Sequence, residues 1–82
     1  MLPNQNLSKE EAQWLLNEFQ PIINKGMVKG KNIGLYTKAL NLMRGTNLPN
    51  PGCSCEYGAR GTIAESVFNQ FKSEIEEVAN AV

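Results

Sequence analysis

Eighty-two residues carry eight Lys or Arg side chains against eight acids, every one of them Glu, with neither Asp nor His. Without His or Asp the chain cannot by itself build a Ser-His-Asp or Cys-His triad, a His-ligated zinc site, an EF-hand loop or a zincin motif. The length suits one small domain and not two, and 41% hydrophobic with 20% charged residues reads as globular rather than disordered. The longest uninterrupted apolar stretch is three residues, Trp14 to Leu16, so the chain is expected to be cytoplasmic with no membrane partner. A domain of this size buries only about 60–65% of its unfolded surface. Contacts with other chains, holding both Met1 and Val82 in place, are the expected remedy for the shortfall.

Residues 1–7 read as an extended N-terminal arm. The first helix is predicted over residues 8–24. Ser8 and Glu11 have capping-box spacing, Leu7 and Ala12 stand where a hydrophobic staple would, and Glu10 and Glu11 suit the positive helix end. Pro21 lacks a backbone N–H, so the helix must stop or kink there before at most one more turn. Gly26 to Gly30, with Lys25, Lys29 and Lys31, forms a basic connector. The second helix is predicted over residues 32–44, with Gly45 as its C-cap. Pro49, Pro51 and Gly52 make residues 45–54 a loop. The third helix is predicted over residues 55–80, with Gly58 and Gly61 weakening its start. No run alternates as a strand would. The chain is expected to be a single all-α domain over residues 1–82, a small three-helix bundle with a Pro/Gly-rich loop before the last helix.

At about 100° per residue, Ala12, Leu15, Leu16, Phe19 and Ile23 make one core stripe of the first helix. Trp14 lies nearly opposite it, and is either an interface anchor or covered by the arm with Leu2 and Pro3. In the second helix Ile33, Tyr36, Leu40 and Met43 form one face and Leu35, Ala39 and Leu42 an adjacent one, leaving Lys38 and Asn41 outward. In the third, Ile63, Val67, Phe68, Phe71, Ile75, Val78 and Ala79 share an arc of about 160°, with Glu65 outside it. Trp14, Leu2, Leu35, Leu42 and Phe68 are the residues expected to meet another subunit.

Chemistry-bearing patterns are sparse. Cys53 and Cys55 are expected to be free thiols where the loop enters the helix, because a disulfide two residues apart is strained and a reducing cytosol disfavours it. They could hold zinc or copper(I) only with ligands borrowed from a second chain, and no cofactor is expected. Lys25, Lys29, Lys31, Lys38 and Arg44 fall in a stretch without one acid. That segment is expected to face solvent or an acidic partner, and contact with nucleic-acid phosphates is the rival reading. Gly26 to Lys31 fails the phosphate-loop spacing and lacks a preceding strand. Glu74, Glu76 and Glu77 crowd the negative end of the last helix, which makes the basic connector of a second copy a natural neighbour.

The capped first helix, the Asn- and Lys-rich, His-free composition and the Gly45–Glu56 segment before a terminal helix resemble the small helical virion and assembly proteins of tailed bacteriophages, the crAss-like phages among them. That resemblance implies a structural protein of a virion assembled in the host cytoplasm: a capsid auxiliary protein, or part of a portal or tail connector, with other protein subunits as partners. No catalytic residue carries over. The chain is expected not to be an enzyme.

Overall fold

The computed structural model describes residues 2–26 and 29–81, with side chains at all of these except 29 and 30. Met1 and Val82, both expected to be pinned, lie outside the described residues, as do Met27 and Val28 of the connector. The first helix, α1, covers residues 9–25 in three consecutive segments: α-helical Lys9–Trp14, π-helical Leu15–Phe19 and α-helical Gln20–Lys25. After a 3-10 turn at Lys29–Asn32 comes α2, Ile33–Arg44. A second 3-10 turn, Ser54–Glu56, leads into α3, Tyr57–Ala79. No strand occurs among the described residues, and the chain is a small all-α fold of three helices.

The start of α1 is set by reciprocal capping. The Glu11 amide donates to Ser8 Oγ at 3.1 Å and the Ser8 amide to Glu11 Oε1 at 2.9 Å, so two otherwise orphaned donors are satisfied. Leu7 and Ala12 are both buried beside them. Pro21 neither stops the helix nor breaks it. A proline four residues beyond a carbonyl crowds it and cannot bond to it. Here the preceding turn widens instead, and the Gln20 amide reaches the Leu15 carbonyl five residues back. The segment after it resumes as an α-helix with the proline in its first turn, where a missing N–H costs nothing. Gly26 (φ 62°) and Gly45 (φ 68°) then close α1 and α2 in the left-handed conformation, which other residues adopt only at a cost.

α3 is the element against which both others pack. Phe19 of α1 stands edge-on to Tyr36 of α2 (ring centroids 5.5 Å apart) and to Phe68 of α3 (5.6 Å). This T-shaped pairing adds to simple area burial. Ala12, Leu15, Ala39, Leu40, Met43, Ala64, Val67, Ile75 and Ala79 fill the space around the three rings. The face of α3 differs from expectation at its start: Ile63 is 42% exposed, while Gly61 and Ala64 turn inward. Phe71 leaves helical geometry (φ −112°, ψ 16°) and kinks α3, and it is only partly buried.

Candidate docking groove

Trp14 ends the first α-helical segment of α1, just ahead of the widened turn, and Leu35 lies in the first turn of α2. Between them runs an open groove of about 530 Å³ with Pro21, Ile22, Lys25 and Asn32 along it and Asn17 and Glu18 at its edge. Ile22 is buried and forms its floor, Trp14 is half-buried against the core, and Leu35 stays 36% exposed. Lys38 reaches across from α2 and places Nζ 4.2 Å from the Trp14 ring centroid, a cation–π contact that desolvates one face of the indole. Trp14 is thus covered on one side by Lys38, and Leu2 of the arm goes elsewhere.

The five residues expected at an interface separate into two groups. Trp14 and Leu35 share the groove. Leu42 is half-buried against the core, whereas Leu2 and Phe68 are core residues, 5% and 1% exposed. The correction has a physical cause. The arm folds back along the bundle, where the Leu2 amide donates to the Glu74 carboxylate, and Phe68 packs edge-on against Phe19 in the core.

The cations also disperse. Lys25 borders the groove, Lys38 is engaged with Trp14, and Lys31 and Arg44 are exposed near opposite ends of α2. At 1.5 Å per residue that places their backbones about 20 Å apart. The Lys29 side chain lies outside those described. Cys53 and Cys55 depart from expectation outright: they are bonded to each other as a disulfide, with Cα atoms 5.2 Å apart. A 3-10 turn between them folds the chain back far enough to bring the sulfurs together. Both residues are exposed. Among the described residues no cluster of three or more His, Cys, Asp or Glu could hold a metal ion, and no helix is long and apolar enough to cross a membrane.

Away from the groove, polar side chains that the pattern of the sequence leaves unremarkable tie the arm to the C-terminal end of α2 and fix the loop after it. Asn4 donates from Nδ2 to the Leu42 carbonyl at 2.6 Å, and its amide donates to the Met43 carbonyl at 3.1 Å. Asn4 thereby satisfies two carbonyls that the end of α2 leaves open. Asn41, expected to point outward, instead clamps the loop: Oδ1 accepts from Thr46 Oγ1 (2.8 Å) and the Leu48 amide (2.9 Å), and Nδ2 donates to the Leu48 carbonyl (2.9 Å). Arg60 donates to Thr37 Oγ1 at 3.0 Å and to the Pro49 carbonyl at 3.1 Å, which satisfies the buried threonine. Tyr36 donates its hydroxyl to Glu65 Oε1 at 3.2 Å. Burial first, then the hydrogen bond and charge of Glu65, push the Tyr36 phenol up from 10 to about 12.

No family model matches the sequence, and neither a curated protein nor a solved structure matches it.

Proposed function

We propose that the chain is a non-catalytic structural subunit that docks into a larger protein assembly through the α1–α2 groove. One observation carries the reading: half-buried Trp14 and 36% exposed Leu35 share one concave site, whereas the other exposed large apolar side chains among the described residues, Leu48 and Ile63, do not line it. Aromatic anchors in concave sites dominate interface energetics. Lys25 lines the groove together with one acid, Glu18, and Lys31 precedes its Asn32 in sequence; both lysines are exposed, and so are Glu76 and Glu77 at the far end of α3. That charge complementarity makes the acidic end of α3 from a second copy the occupant we assign to the groove. Such a contact is head-to-tail, and repeated it gives a ring or a filament. The likeness to small bacteriophage proteins extends the proposal to a virion component, a capsid auxiliary protein or a part of a portal or tail connector. Nucleic-acid contact through residues 25–44 is less well supported, because Lys38 is occupied and Lys31 and Arg44 stand near opposite ends of α2.

Light scattering coupled to size exclusion tests the groove. The expected result is a mass that rises with concentration, falls at high salt and reverts to the monomer in Leu35→Glu or Glu76→Lys/Glu77→Lys. Combining Lys25→Glu and Lys31→Glu with the two Glu→Lys changes restores association. A monomer at every concentration and salt overturns the self-docking contact. The virion reading requires the chain to be found by mass spectrometry in purified phage particles at a fixed ratio to a capsid or portal subunit.

A further inference from the structure

We propose that Cys53 and Cys55 form a reversible thiol–disulfide couple that exchanges electrons with soluble dithiols, an activity independent of the docking groove. Three observations carry it. The two sulfurs are joined although only one residue separates the cysteines in sequence. Both cysteines are exposed, so an attacking thiolate has access. The bond is also asymmetric in its surroundings: the Cys55 amide donates to Cys53 Sγ at 3.3 Å, and the Glu56 amide turns back to the Cys53 carbonyl at 3.0 Å. The 3-10 turn that supplies these amides runs directly into the long α3 helix.

Exchange depends on access and on how readily a sulfur leaves as thiolate. A sulfur that accepts an amide hydrogen bond beside the start of a helix is the better leaving group, because its negative charge is stabilised there. The geometry therefore assigns direction. A thiolate of the incoming dithiol attacks Cys55 Sγ, the Cys53–Cys55 bond breaks, and its electron pair goes to Cys53 Sγ. The second thiol of the dithiol, deprotonated, then attacks the mixed disulfide and releases Cys55 as thiolate. The chain gains two electrons and two protons, and the dithiol becomes a disulfide. Oxidised glutathione reverses the reaction through the same sulfurs.

Maleimide trapping and mass spectrometry of the full chain test the couple in dithiothreitol and glutathione buffers. The expected result is a chain that takes up no label when oxidised and two labels after dithiothreitol at neutral pH without denaturant, and that loses labelling again in oxidised glutathione while staying a monomer under denaturing conditions. The single variants test direction, and circular dichroism confirms that each is helical. Cys55→Ser retains the backbone amide, so its Cys53 reacts with iodoacetamide at pH 6.5 several-fold faster than Cys55 does in Cys53→Ser. Two free thiols that persist in oxidised glutathione, a link formed only between chains, or a disulfide that resists dithiothreitol in the folded protein overturns the couple. Equal reactivity of the two variants overturns the assigned direction.

Discussion

Gly45 shows how one residue without a side chain serves two demands at once. Its φ of 68° ends α2, and a Cβ added there would stand 3.3 Å from Asn4 Cγ. Gly26 has nearly the same φ, and nothing lies within 4 Å of its added Cβ. Each Gly→Ala change pays the left-handed cost of about 1–2 kcal/mol. Gly45→Ala pays more, because Asn4 is held by hydrogen bonds to Leu42, Met43 and Asn6 and cannot move aside without losing them. Urea denaturation is expected to rank Gly45→Ala below Gly26→Ala in stability. Asn4→Ala alone should cost about 1–2 kcal/mol for its lost bonds. In the Asn4→Ala/Gly45→Ala double variant the losses should fall short of additive, since the crowded partner is gone. Full additivity would mean that the arm does not rest on Gly45.

At the scale of elements, α3 is less uniform than its length suggests. Non-helical torsions at Phe71 fall between Phe68 and Ile75, which are both buried. Backbone bonds that span such a position are weakened. Hydrogen exchange should therefore be faster at the amides of residues 72–75 than at those of residues 64–68, and uniform protection along α3 would refute the kink. Nothing in the sequence announces it, because no proline or glycine follows Gly61 in that helix. The features that were legible have local causes: the Ser8–Glu11 box, the Gly45 cap and the core positions of Phe19 and Tyr36. Pro21 was legible as a disturbance, but a widened turn and a break have the same local signature. What lay hidden was partner choice. Ten Asn residues are visible in the sequence, yet only the fold brings Asn4 to the end of α2 and turns Asn41 toward Leu48. For the groove, the wheel placed Trp14 off the core stripe, and nothing in one helix could say that Leu35 of another would lie beside it.

For the molecule as a whole, the aromatic centre links stability to pH. Tyr36 is 1% exposed and meets Phe19 with its ring and Glu65 with its hydroxyl. Its neutral form suits that site, whereas a phenolate would lose water and face a carboxylate. Burial, followed by the hydrogen bond and charge of Glu65, raises its pKa from 10 to about 12. For an acid whose folded pKa is raised, the folded state holds the proton more tightly than the unfolded chain. The linked stability is thus fully present below pH 10 and is lost as pH climbs from 10 towards about 12. The wild type by itself cannot assign the effect to one residue. Tyr36→Phe keeps the ring and removes the phenol. Thermal melts should show the wild type losing stability faster than Tyr36→Phe above pH 10, with a constant difference below it. Glu65→Gln removes the facing charge and one cause of the raised pKa, so the phenol should ionise at lower pH than in the wild type, as followed by absorbance near 295 nm. Parallel melting curves for wild type and Tyr36→Phe across the alkaline range would place Tyr36 in contact with water and outside the core that joins the three helices.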